Sequence, residues 1–165
     1  VGGLYRYFES KDVLQCRLYV RCAEAFIQFL EPVTLRVQNK PALQRVKAYA
    51  LAWAEFGASH PIKHAMLDQS LSTPDAKLSD ADALAVDKAL RPALECVADA
   101  LKAAQQHNQL EPGDAWLRTY AIWAAMHGVG HFEKRDRFLP EALHTVNVRT
   151  LLINSLLKGW GAKLQ

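Results

Sequence analysis

The chain has 165 residues, half of them hydrophobic, and a formal net charge of +3. This length suits one domain with a sizeable core. No run approaches the ~18 uninterrupted apolar residues of a membrane-spanning helix, so no membrane partner is expected. Three cysteines without CxxC spacing indicate reduced thiols in a cytoplasmic protein. Ala and Leu are abundant and β-branched runs are scarce, so the composition predicts an all-α fold.

The first fourteen residues combine aromatic hydroxyls with a helix start that suits an anion. Ser10 can cap a new helix, and Lys11 then stands in its first turn, where the helix dipole disfavours a cation. A lysine is more stable there if an anion is bound, because helix N-termini attract phosphate. Together with the hydroxyls of Tyr5 and Tyr7, this corner is suited to DNA phosphates.

The TetR family of bacterial transcriptional regulators has a similar segment at the end of its helix-turn-helix. The residues that carry the resemblance are Gly3, Tyr5, Tyr7, Phe8, Ser10, Lys11 and Leu14. The resemblance implies a TetR-like helical bundle in which residues 1–11 are the remnant of the helix-turn-helix DNA-binding domain. Residues 12–165 would then form the ligand-binding and dimerisation domain. It also implies that Tyr5, Tyr7 and Lys11 contact DNA phosphates, and that the protein is a repressor released by a small apolar ligand.

A complete helix-turn-helix needs two helices before this segment, roughly 35–45 residues on the usual helix and loop lengths. We therefore expect the intact protein to continue upstream of Val1. The residues that read base edges would lie mostly in that upstream part, whereas phosphate contacts would remain here.

Apolar spacing and breaker residues divide the rest of the chain into helices and connectors. Pro32 is expected to stop the first helix, and Pro92 to kink or break a long Ala/Leu helix. Ser-Thr-Pro-Asp between residues 71 and 80 predicts a loop, and residues 133–137 form a charged connector. The predicted helices cover residues 12–30, 41–59, 61–69, 83–109, 115–132 and 141–160.

The last two predicted helices carry more apolar surface than a single core-facing stripe needs. Two such helices from each of two subunits would bury the surplus in a four-helix bundle. We therefore expect a homodimer, and TetR-like proteins are similar in pairing this way. A central helix enclosed within a monomer is an alternative for residues 115–132 only. The candidate interface residues are Trp116, Val148, Leu152 and Leu156.

Several large side chains are expected near the middle of the bundle, among small Ala-rich neighbours. Such a set predicts an apolar cavity with a few polar tips, and close core packing is the alternative. His127 lies four residues after Trp123, so both face the same way, and Trp123-x-x-x-His127-Gly128 resembles a signature in one branch of TetR-like ligand domains. The candidate ligand contacts are Trp53, Phe56, Met66, Tyr120, Trp123 and His127.

Two histidine pairs, His60/His64 and His127/His131, have the i,i+4 spacing that can share an ion. Neither contains the HExxH glutamate or an evident third ligand, so we predict no metal and no cofactor. Gly-rich phosphate loops and GxSxG are absent from the sequence, so an enzyme is not expected. Two alternatives stay open: a helical metal-dependent enzyme, and a ligand-independent dimerisation or protein-binding regulator with a filled core.

Overall fold

A computed structural model describes residues 10–72 and 78–164 of the chain, and the described part is helical. Two single 3₁₀ turns, Glu133–Arg135 and Glu141–Leu143, precede the last helix. The prediction of an all-α fold is confirmed. The helices are α1 (Lys11–Val37), α2 (Ala42–Ser59), α3 (Pro61–Ser72), α4 (Asp80–Gln106), α5 (Ala115–Gly130) and α6 (Thr145–Gly159).

Helix α1 begins as predicted but does not end at Pro32. Ser10 caps it, because the backbone N–H of Val13 donates to Ser10 Oγ at 3.2 Å. The predicted stop at Pro32 is wrong, since the helix continues to Val37. Pro32 is exposed, while Val33 and Val37 are buried on the inner face. Burial of these two valines therefore offsets the ~3 kcal/mol that an internal proline costs a helix.

Helix α4 likewise runs through its proline. Ser79 caps it through the N–H of Asp82 at 3.2 Å, and the helix is continuous across Pro92 to Gln106. The option of a broken helix is therefore wrong. Buried Leu90 and Leu94 flank the proline, so packing on both sides holds the two halves in one helix.

The buried side chains form two clusters that share α2 and α4. The first, the α1-side core, joins α1, α2, α3 and the first half of α4, and its largest members are aromatic. The second, the α6-side core, joins α2, the second half of α4, α5 and α6, and is mostly aliphatic. Representative members of the α1-side core are Phe26, Trp53, Phe56, Leu67 and Leu90. Those of the α6-side core are Val46, Leu101, Ile122, Ile153 and Leu157.

The start of α6 is fixed by the connector that precedes it. The predicted start at Glu141 is wrong, because residues 141–143 form a 3₁₀ turn and α6 begins at Thr145. The Asp136 carboxylate accepts from the backbone N–H of Thr145 at 3.1 Å and from its hydroxyl at 2.7 Å. Glu133 pairs with the buried Arg149. These contacts cap α6 from a distance, where no side-chain cap is available next to it.

The end of α6 is tied to the loop between α4 and α5. The backbone N–H of Glu111 donates to the Trp160 carbonyl at 2.9 Å. The Arg118 guanidinium lies 5.2 Å from the centre of the Trp160 ring, within cation–π range. Both ends of α6 are thus anchored to other parts of the chain. No helix among the described residues is both long and apolar enough to cross a bilayer.

Candidate ligand cavity and dimer surface

A small apolar cavity lies between α1, α2, α4 and α5. Its volume is about 40 Å³, and its wall includes Phe26, Leu30, Trp53, Trp123 and Met126. Ligand pockets for drug-sized molecules usually measure about 300–1,000 Å³. The cavity therefore has room for about one water, and a larger occupant would have to move its walls. One polar wall residue, Thr119, already donates its hydroxyl hydrogen to the Ala115 carbonyl at 2.8 Å.

Trp53 is the centre of the aromatic packing beside this cavity. Phe26 meets it edge-on at 5.3 Å between ring centres. The imidazoles of His64 and His127 lie 4.3 Å and 4.4 Å from it. Trp53 is buried and lies on α2, whereas its partners come from α1, α3 and α5. One indole therefore connects four helices through ring contacts within the usual aromatic range.

One ring nitrogen of His127 is hydrogen-bonded to a carboxylate, and the other has no hydrogen-bond partner. Its Nδ1 lies 3.2 Å from Asp68 Oδ1, so Nδ1–H donates to the carboxylate. Its Nε2 is buried and has no hydrogen-bond partner. Burial lowers the pKa of His127 to about 4, although the Asp68 carboxylate acts in the opposite direction. The ring is therefore neutral at pH 7, and Nε2 is a hydrogen-bond acceptor.

The other histidines near Trp53 do not complete a metal site. His60 stacks on Phe56 at 5.0 Å. His64 Nε2 is buried without a hydrogen-bond partner, and burial lowers the His64 pKa. His131 is exposed. Within residues 10–72 and 78–164, no three His, Cys, Asp or Glu side chains come together as potential metal ligands.

Helices α5 and α6 expose several apolar side chains, which we call the α5/α6 surface. Leu117 and Tyr120 on α5 are 71% and 46% exposed, and Leu151 on α6 is 66% exposed. Val146 is also exposed. A Cβ added to Gly128 would meet no atom within 4 Å, so the last turn of α5 is open as well. Several exposed apolar side chains on two packed helices are a candidate interaction surface.

Residues 46–152 match the family model described as the Tetracyclin repressor-like, C-terminal domain. The chain belongs to this TetR-like family. The family points to a regulator rather than an enzyme.

Among solved structures, a protein with unknown function from Rhodococcus sp. RHA1 is similar, with a TM-score of 0.71 and 19% sequence identity. The match covers 93% of this chain and 75% of that one. At this identity the likeness concerns the fold. No curated protein matches the chain.

In the TetR-like domain, three of the six predicted ligand contacts come together. Trp53 and Trp123 line the cavity, and the His127 ring lies 5.3 Å from that of Trp123. Their shared location follows from the i,i+4 spacing on α5 and from the central place of α2.

The other three predicted contacts lie elsewhere. Phe56 is fully buried but does not line the cavity. The Met66 sulfur is 4.0 Å from Cys22 Sγ, beside α1. Tyr120 is partly exposed and its ring is 5.8 Å from Trp123, on the solvent side.

Sequence reasoning missed several wall residues and the carboxylate. Thr119 and Met126 follow a helical stripe on α5 and could have been found from that spacing. Asp68 lies 59 positions from His127, and no local pattern marks that pairing.

The predicted dimer residues lie around the α5/α6 surface. Val148 and Leu152 are half-buried along a groove between α5 and α6, and Leu156 packs against the α6-side core. The Trp116 ring is covered in part within the chain, because the Arg91 guanidinium lies 5.9 Å from its centre. The exposed members, Leu117 and Leu151, were not among the predicted residues.

The predicted phosphate contacts are described only in part. Lys11 is the first residue of α1 and its side chain is exposed. Tyr5 and Tyr7 lie outside the described residues.

Proposed function

We propose that the chain is the ligand-sensing and dimerisation part of a cytoplasmic TetR-like repressor, with the end of its DNA-binding domain in residues 1–11. The observation that carries the proposal is the cavity, because its wall includes Phe26 and Leu30 of α1. The same helix begins at Lys11, next to the segment that resembles the end of a helix-turn-helix. A small apolar ligand that enlarges the cavity would therefore act on the helix that leads to DNA.

The α5/α6 surface supports a homodimer. Leu117 and Leu151 expose apolar area that a partner would cover, and burial of such area drives association. Two copies of α5 and α6 would form a four-helix bundle around a two-fold axis. Val148, Leu152 and Leu156 lie beside this surface, and Trp116 lies at its edge in the proposed interface.

Repression in this proposal depends on the distance between two DNA-reading helices. In a dimer they enter successive major grooves only if they are about 34–36 Å apart. A ligand changes the fraction of competent dimers only by the difference between its affinities for the two states. Tyr5, Tyr7 and Lys11 would position the dimer on phosphates without specifying sequence.

Analytical ultracentrifugation tests the dimer surface directly. Leu151→Glu places a charge on the α5/α6 surface and is expected to convert the dimer to a monomer. Leu35→Glu is the matched control, because Leu35 on α1 is 67% exposed, against 66% for Leu151. The control should remain dimeric. A Leu151→Glu protein that sediments as the wild type does would contradict the proposed interface.

A DNA-binding assay of the protein extended upstream of residue 1 tests the regulatory function. Lys11→Ala should weaken specific and non-specific DNA alike and reduce the salt dependence of binding by about one phosphate contact. Failure of the extended wild type to select any DNA sequence would contradict the proposed function.

A second candidate is a ligand-independent TetR-like regulator with a filled core. The 40 Å³ volume of the cavity favours it, since the resting cavity holds no ligand of ordinary size. The two candidates share the dimer and the DNA contacts. They differ in whether the cavity takes an occupant.

A further inference from the structure

The Nε2 atom of His127 is a hydrogen-bond acceptor that has no donor among the described residues. The Asp68 carboxylate accepts a hydrogen bond from Nδ1–H, so the free lone pair of the ring lies on Nε2. That nitrogen is buried without a partner. A buried polar atom without a hydrogen bond destabilises the folded state. A ligand that donates a hydrogen bond to Nε2 would remove this destabilisation.

Trp123 contacts both the cavity and the His127 ring. The indole lines the cavity, and its ring meets the His127 ring at 5.3 Å and 70°. Trp123 is also only partly buried, and it contacts the exposed Tyr120. A side chain that has the cavity on one side and solvent on another is a wall of that cavity. Moving it would enlarge the cavity and extend it to the imidazole.

The surroundings select the chemistry of an occupant. The walls are aromatic and aliphatic, so they favour a planar apolar body. A carboxylate would meet the lone pair of His127 and the charge of Asp68, and both repel an anion. An ammonium group could donate to Nε2, but it would have to lose its hydration in an apolar cavity. A neutral hydroxyl avoids both costs.

We propose that the cavity binds an uncharged aromatic molecule with a hydroxyl group, which displaces Trp123 and donates its hydroxyl hydrogen to His127 Nε2. This inference rests on the proposed ligand-sensing function and specifies its ligand class. Asp68 is a positioning residue here, because it fixes the tautomer of His127 and does not touch the occupant. Trp123 is the side chain that moves.

Four probes of similar shape test the inference by ligand-observed NMR titration at pH 7. They are p-cresol, toluene, p-toluate and 4-methylbenzylamine, each added to the 165-residue chain. We expect p-cresol to bind about tenfold more tightly than toluene, the gain of one well-placed hydrogen bond. The anion and the ammonium compound should bind more weakly than p-cresol.

His127→Phe keeps a ring beside Trp53 and removes the acceptor. We expect it to reduce the p-cresol/toluene affinity ratio to about one and to leave toluene within about threefold of its wild-type affinity. His131→Phe, an exposed substitution just after α5, is the control and should keep the full ratio. The ratio is informative because a general change in cavity shape would move both affinities together. If His127→Phe does not fold, Asp68→Asn serves, since loss of the tautomer preference should also reduce the ratio.

The outcomes separate the inference from the function on which it rests. Equal binding of toluene and p-cresol to the wild type would overturn hydroxyl recognition and leave the ligand-sensing function standing. Tightest binding of p-toluate or 4-methylbenzylamine would overturn the ligand class in the same way. Binding of none of the four would overturn the inference and favour the ligand-independent regulator, while the ultracentrifugation and DNA results would still decide dimerisation and DNA binding.

Discussion

The two cores of this domain differ in the type of side chain that fills them. The α6-side core consists of aliphatic side chains, and Leu101, Ile153 and Leu157 in it are almost fully buried. The α1-side core is aromatic, has the cavity at its border, and has histidine nitrogens without partners beside it. Close aliphatic packing resists rearrangement, whereas stacked rings beside a cavity have room to shift. The comparison indicates that the α6 side is closely packed and that the α1 side has room to rearrange.

The largest effect is expected from truncation in the α6-side core. Leu157→Ala should lower the free energy of unfolding by about 3 kcal/mol, because a fully buried leucine leaves a cavity that the anchored α6 cannot close. Urea unfolding monitored by circular dichroism measures it. Leu35→Ala, at an exposed leucine, should change stability by less than about 0.5 kcal/mol. A loss below about 1 kcal/mol for Leu157→Ala would mean that the α6 side also rearranges.

A smaller loss of stability is expected when the pH is lowered, because His127 on the α1 side takes up a proton on unfolding. The pKa of His127 is about 4 in the folded protein, and about 6.5 in the unfolded chain. The unfolded state therefore takes up the proton first as pH falls. The neutral, buried His127 ring therefore contributes fully to the free energy of unfolding above about pH 6.5. This contribution is lost as the pH falls from there to about 4. The expected loss from pH 7.5 to pH 5 is about 2 kcal/mol.

Urea unfolding at several pH values measures the contribution of His127 to the pH dependence of stability. His127→Gln cannot titrate, so its stability should fall less between pH 7.5 and pH 5 than that of the wild type. The exposed His131→Gln should retain the wild-type pH dependence. Identical slopes for the wild type and His127→Gln would remove His127 as a source of pH sensitivity on the α1 side.

The smallest effect concerns the helix cap at the start of α5, beside the α6-side core. Asp114 accepts from the backbone N–H groups of Trp116 at 2.8 Å and Leu117 at 3.0 Å. Asp114→Ala should cost about 1 kcal/mol, and Asp114→Asn should restore most of it. Thermal unfolding of the two variants measures the difference. If both variants match the wild type, the start of α5 is held by packing alone.

Local signals predicted most of the fold. Ser10 marked the start of α1 correctly, because its side chain accepts from a free backbone N–H group close by. The errors at Pro32 and at the start of α6 have a different origin. Burial of Val33 and Val37 overrides the proline, and Asp136 caps Thr145 from nine residues away. Both depend on tertiary contacts that spacing along the chain does not contain.

The same distinction applies to the site. Trp53, Trp123 and His127 could be predicted from residue type and helical spacing. The role of Asp68 could not, since it depends on how α3 meets α5. Phe56 shows the limit of residue type, because a large aromatic in the right helix can be wholly buried without reaching the cavity.

The length of α1 between the cavity and the start of the helix determines how far a tilt at the cavity moves that start. From Leu30, in the cavity wall, to Ser10, just before the helix, there are about 30 Å of helix at 1.5 Å per residue. A tilt of α1 by about 10° around Leu30 would displace its Ser10 end by about 5 Å over that length of helix. This exceeds the ~3.4 Å rise of one base pair. In the proposed repressor, a helix of this length would convert a small tilt at the cavity into a displacement larger than one base-pair step at its start.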